Sequence, residues 1–300
     1  MPFMLFINVV LPVFLIVFTG YLLQKKYPLD SHALTTVSLY ILSPALVFSA
    51  LTKHPVSAEL TGDLTLFMVL YTVVLLVLGC LSCRVGGISR ESRRAFYLAT
   101  SMMNIGNFGL PLAYFAYGDS GLKVSVLIFV LFNIPLGTLA IIIAQGEKTA
   151  LKDAIINMLK IPIFHAVVLA FGLQAIDIQP PSFLLRACDL LGQGAIPLML
   201  VILGMQLART RIEASFRFLG LASLLRLVIA PIIAWLLTGL LGIDGLPRNV
   251  IVLQTSTPAA VLPLLYSIRF NSRPDLVASA ILVTTLLSAI TLTILLYVLQ

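Results

Sequence analysis

Two short polar stretches interrupt an otherwise apolar chain of 300 residues. The first, SMMNIGNFGLP over 101–111, places Asn104, Gly106, Asn107, Gly109 and Pro111 inside one apolar run. The second, over 254–263, places Gln254, Thr255, Ser256, Thr257, Pro258 and Pro263 inside another. Glycine weakens a helix, proline removes a backbone donor and collides with the preceding turn, and asparagine competes for backbone partners. Each stretch therefore predicts a helix broken near its middle. A half-helix that restarts there has unpaired N–H groups and roughly half a unit of positive charge at its N-terminus. Proline suits such a first turn. The chemistry that follows is the binding of a carboxylate or similar anion. Asn104, Asn107, Thr255 and Ser256 are expected to line the site, with amides near Pro111 and Pro263 holding the carboxylate. No cofactor and no metal is expected.

Three more polar groups fall inside apolar runs. Charge within a membrane span is expensive and points by default to function. Asp189 is either a proton- or cation-linked switch or a local partner of Arg186; Arg226 is either a counter-charge for an anion or a group that snorkels or binds backbone carbonyls. Asn133, with Pro135 beside it, is a further cavity-lining candidate. Ser43 and Pro44, like Gly194 and Pro197, are expected to shape scaffold helices. The GDSG of residues 118–121 and His165 resemble parts of an intramembrane serine protease, but Ser120 is expected in a short external turn of ordinary composition. Cys80, Cys83 and Cys188 read as small apolar packing groups. No HExxH, phosphate-loop or dinucleotide fingerprint is present, so neither an enzyme nor an ATP-driven pump is indicated.

The elements that must position these residues are membrane helices. Apolar residues make up 60% of the chain and charged residues 10%, with mean hydropathy +1.08, far from the soluble range. Ten runs of spanning length are expected near 4–23, 32–51, 64–83, 94–117, 122–144, 154–173, 183–207, 217–241, 249–268 and 276–298. The first lacks a preceding basic residue or a cleavage site and reads as a retained span. Lys and Arg concentrate in the loops after the odd-numbered runs, which places those loops in the cytoplasm and both termini outside. The basic balance, net +7, then faces anionic membrane lipid rather than nucleic acid. LPVFLIVFTGYLLQ at 11–24 recurs as IPIFHAVVLAFGLQ at 161–174, and GLPLAY at 109–114 as VLPLLY at 261–266. One transmembrane unit, 1–300, thus divides into five-helix repeats 1–147 and 148–300. An odd span count inverts the second relative to the first, an arrangement that builds a site at the repeat interface.

The opening LPVFLIVFTGYLLQ, the SPALVF of the second run, NIGNFGLPLAYFAYGDSGL around the fourth and AIPLMLVILGMQLA in the seventh resemble the auxin efflux carrier family, bacterial type, across essentially all of the chain. The resemblance implies an all-α fold related to bile acid:sodium symporters, with a scaffold domain and a transport domain that moves like an elevator. Residues 104–111 and 254–263 would be its crossing segments. It also implies an organic-anion substrate (a malonate- or malate-like dicarboxylate or an auxin-like carboxylate), a bacterial-type inner membrane and a homodimer. The plant members' long cytoplasmic loop is reduced here to 145–160. H+ or Na+ is the expected coupling ion if there is one, and neither break contains the acidic residue that strong sodium dependence would favour. The rival expectations are an anion channel with the same pore and a membrane receptor that binds the ligand without moving it.

Overall fold

The prolines of this chain explain much of its local structure. A computed structural model describes residues 2–53, 57–146 and 159–300. Its helices are α1 (Pro2–Lys26), α2 (Ser31–Lys53), α3 (Ala58–Val85), α4 (Arg93–Ser101), α5 (Ile105–Gln145), α6 (Pro162–Ala175), α7 (Ser182–Arg209), α8 (Phe216–Leu240), α9 (Gly245–Thr255), α10 (Leu262–Arg269) and α11 (Pro274–Val298). Four of them widen into a π-turn, at Phe6–Val10, Ser38–Leu42, Ile105–Gly109 and Leu225–Ile229. Each of these turns ends two residues before a proline: Pro12, Pro44, Pro111 or Pro231. Proline offers no N–H and its ring presses on the preceding turn. The residue in front of it then reaches back five positions, as Leu11 does to Phe6, Ser43 to Ser38, Leu110 to Ile105 and Ala230 to Leu225.

Among the described residues the chain is all-helical except for one antiparallel bridge, between Met103 and Ala259. Seven helices, α1, α2, α3, α5, α7, α8 and α11, are long and apolar enough to cross a membrane. The fourth and ninth runs are interrupted, as expected of the crossing pair. The fourth apolar run is divided between α4 and the first arm of α5, and the ninth between α9 and α10. The rest of the fourth run and the fifth run are two helical arms of α5 that meet at a non-helical kink at Gly118, whose φ of 62° and ψ of −152° suit glycine. Residues 118–121 thus fall at the kink between the two arms, and both Ser120 and His165 are exposed. The first residues of the sixth run, the boundary between the two expected repeats and most of the basic joint lie outside the described residues.

The helices pack in two groups. In one, α1, α2, α6 and α7 form a panel in which α1 and α7 make close backbone contact, Gly20 against Val201 and Gly204 against Val17. Small residues are what allow membrane helices such approach. In the other, α3, α4, α5, α8, α9, α10 and α11 surround the crossing of the two interrupted helices. The groups meet where α7 touches the start of α5, α2 touches α5 and α1 touches α11.

Candidate functional site

The breaks meet each other. After Ser101 the chain turns extended at Met102 (φ −103°, ψ 114°), and α5 begins only at Ile105. After Thr255 a matching interruption runs to α10. The two segments lie antiparallel: the Asn104 amide donates to the Pro258 carbonyl at 2.9 Å and the Ala260 amide to the Met102 carbonyl at 2.9 Å. The Thr284 hydroxyl of α11 takes the Ala259 amide at 3.2 Å. Backbone groups freed inside a membrane span must be satisfied by protein, and here each break supplies partners for the other.

The restarting helices turn their N-termini to a small cavity. The first bonds within α5 run from Phe108 and Gly109 back to the Asn104 carbonyl, so the amides of Ile105, Gly106 and Asn107 precede the helical ladder. Those residues, with Met103, Asn104, Ala260, Val261 and Leu262, line a cavity of about 90 Å³. Asn133, Phe129 and Phe132 close it from α5; Thr35, Ser38 and Ser43 of α2 and Met199 and Gln206 of α7 close it from the panel. No charged side chain is among the lining residues. Ser43 Oγ, Asn104 Nδ2 and Gln206 Oε1 are buried and have no hydrogen-bond partner among the described residues. A buried polar group without a partner costs about 1–3 kcal/mol, and three of them border this one cavity.

The opposite ends of the broken helices are occupied by Arg226. Its side chain is fully buried. Nε donates to the Thr257 carbonyl at 3.1 Å and Nη1 to the Thr100 carbonyl at 3.1 Å. Nη2 donates to the Thr255 carbonyl and, at 3.3 Å, to the Tyr71 hydroxyl, which itself donates to Thr255 at 3.1 Å. The carbonyl ends of α4 and α9 thus share one guanidinium. Of the alternatives open for Arg226, binding backbone carbonyls is what the geometry contains; it does not line the cavity.

The polar run after α9 also differs from expectation. Thr255 Oγ1 donates to Ile251 at 2.7 Å, Ser256 Oγ to Val252 at 2.5 Å and Thr257 Oγ1 to Gln254 at 2.7 Å. These hydroxyls satisfy carbonyls of their own helix end and are absent from the cavity wall. Gln254 is buried, donates to Ser125 of α5 and lies against Gly109, where a β-carbon would collide with its carboxamide. Pro258 contributes its carbonyl to the crossing, and Pro263 sits in the first turn of α10 as expected. Pro111 lies beyond the first turn of its half-helix, because the break falls at 102–104 and the helix restarts at Ile105. Sequence reasoning missed Thr35, Ser38, Ser43 and Gln206 as cavity residues and Tyr71 as the partner of Arg226. A lone polar side chain in an apolar run was the available signal for Gln206 and Tyr71.

A larger cavity, about 570 Å³, lies between the panel and the bend of α5 and holds Lys53, Lys123, Asp119 and Asp189 among its lining. Asp189 pairs with Lys53 at 2.5 Å rather than with Arg186, and accepts from Ser49 at 3.1 Å and Gln193 at 3.4 Å. Leu46 and Ile196 line this cavity while Ser43 and Met199 line the smaller one. These residues are three apart on α2 and α7, so about 4.5 Å of helix rise separates the two chambers along each.

Long apolar helices around an interrupted pair, with an unpartnered polar cavity at their crossing, describe an integral membrane transport protein. The chain matches the family described as Membrane transport protein over residues 5–155 and 148–296, and it belongs to that family, the auxin efflux carriers. It is 29% identical to an uncharacterized transporter of Methanocaldococcus jannaschii over 94% of each chain. It is also 29% identical to a Rhizobium meliloti protein named "Putative malonate transporter", over 98% of this chain and 95% of that one. Auxin efflux carrier component 1 of Arabidopsis thaliana is 22% identical over 41% of this chain and 20% of its own.

Proposed function

We propose that the protein is a secondary transporter of a small organic anion, with a malonate-like dicarboxylate as the first candidate. The anion binds in the cavity at the crossing, held by the amides of Ile105, Gly106 and Asn107, the Asn104 and Asn107 carboxamides and the Ser43 hydroxyl. The observation that carries this reading is the pair of buried, unpartnered donors, Ser43 Oγ and Asn104 Nδ2, at that cavity. The space suits several waters or one small anion. A site that offers dipoles and no fixed countercharge binds an anion without trapping it, as carriage requires. The Rhizobium meliloti relative's name supports the choice of malonate as the first anion to try.

In this proposal ten spans form two inverted five-helix repeats, 1–147 and 148–300, in the inner membrane of a bacterial-type cell, with both termini outside. The panel of α1, α2, α6 and α7 is the scaffold. The remaining helices form the transport domain, and its movement past the panel opens the crossing alternately to each side. The larger cavity is then the outer vestibule, where Lys53 and Lys123 meet arriving anions. A homodimer fits the same reading, and H+ is the first coupling ion to test.

The test is uptake into proteoliposomes of labelled malonate, malate, oxalate and an aromatic acid, under separate proton and sodium gradients. The expected result is uptake of a small dicarboxylate with counterflow exchange. No uptake of any of the four would refute the organic-anion assignment, and flux without counterflow would favour a channel.

A further inference from the structure

The two faces of the crossing carry opposite charge requirements. Its N-terminal face, at the cavity, favours an anion, whereas the carbonyl face favours a cation. In transporters built from broken helices, unwound carbonyls and the C-terminal ends of half-helices are where coupling cations such as sodium are held. Here that face is Thr100 at the end of α4 with Thr255 and Thr257 at the end of α9, and all three carbonyls accept from Arg226. The guanidinium makes no ion pair among the described residues, so carbonyl dipoles and the Tyr71 hydroxyl are its partners. No group of carboxylates, histidines or cysteines suited to a metal ion occurs among the described residues. A planar fork of donors can engage carbonyls from two chain segments together, which a spherical ion does only through a complete oxygen shell.

We infer that Arg226 is a resident cation that takes the place of an alkali ion at the carbonyl face of the crossing. The two broken helices are thereby held together without sodium, and the transport cycle has no sodium requirement at this position. The inference rests on the crossing being the centre of the transport site, but it is read from ion dependence and can fail separately.

Thermal unfolding of the purified protein in detergent tests it, in chloride salts of sodium, potassium and N-methylglucamine at equal ionic strength. The wild-type midpoint should be the same in all three. Arg226→Ala should lower the midpoint by on the order of 10 °C, and sodium or methylguanidinium, but not N-methylglucamine, should restore part of it. A sodium-stabilised wild type, or an Arg226→Ala protein indifferent to every cation, would overturn the inference. If Arg226→Ala does not fold, Arg226→Lys and Arg226→Gln decide. The charged variant should be the more stable of the two, and equal stability would contradict the claim. Wild-type uptake in sodium against N-methylglucamine separates the two proposals. Absence of uptake in both media counts against the organic-anion reading, and uptake only in sodium counts against the resident cation.

Discussion

The two faces of the crossing are built from the same two interrupted helices yet are finished differently. On the carbonyl side all three nitrogens of the Arg226 guanidinium donate, and the hydroxyls of Thr255, Ser256 and Thr257 are turned back into their own helix. On the amide side the chain brings only uncharged groups, and three of those are left without partners. A region completed by its own residues is structural, whereas one left incomplete in the apolar interior asks for something from outside. Stability should therefore follow the first face and substrate handling the second.

Substitutions that separate the two faces should rank accordingly. The largest effect is expected at Arg226→Met, which leaves the buried Thr100 and Thr257 carbonyls without their side-chain donor and Thr255 with the Tyr71 hydroxyl alone; the loss is about 2–6 kcal/mol for two unsatisfied groups, read as a collapse in folded yield and unfolding midpoint. Asn104→Leu comes next. It should leave the midpoint within a few degrees, because the bridge is made by the backbone, while uptake falls about ten- to a hundredfold, as for loss of a hydrogen bond to a charged guest. Ser43→Ala removes a single neutral partner and should weaken uptake about fivefold, seen as a raised KM. Asp189→Asn should change stability by less than about 1 kcal/mol, because the Lys53–Asp189 pair is 41% and 37% exposed. A stability loss at Asn104 as large as that at Arg226 would erase the distinction between the faces.

The breaks were legible in the sequence because Asn, Gly and Pro cannot continue a helix, and the cluster 104–107 does line the cavity. The role of Thr255–Thr257 was not legible. Ser and Thr near a helix end can either face a ligand or donate to the turn behind them, and composition does not distinguish the two. Arg226 was ambiguous for a similar reason, since its partners are backbone carbonyls brought together only by the crossing. Gln206 and Ser43 belong to helices that look like scaffold along the chain; only packing turns them toward the cavity. The division between the fourth and fifth runs was legible at Gly118, where non-helical backbone that suits glycine separates two helical arms. Pro111 and the half-helix start separated because the π-turn at Ile105–Gly109 adds a turn ahead of the proline.

Thiol accessibility at Ser43 tests most directly whether the crossing cavity is where the anion sits. With Cys80, Cys83 and Cys188 replaced by alanine, Ser43→Cys puts a reactive group on the cavity wall at almost unchanged volume. Its labelling by a small membrane-impermeant reagent should slow at least about tenfold when the transported anion saturates the protein, as binding near 10 Kd requires. Labelling that proceeds at the same rate with and without the anion, in protein that still transports it, would place the substrate elsewhere.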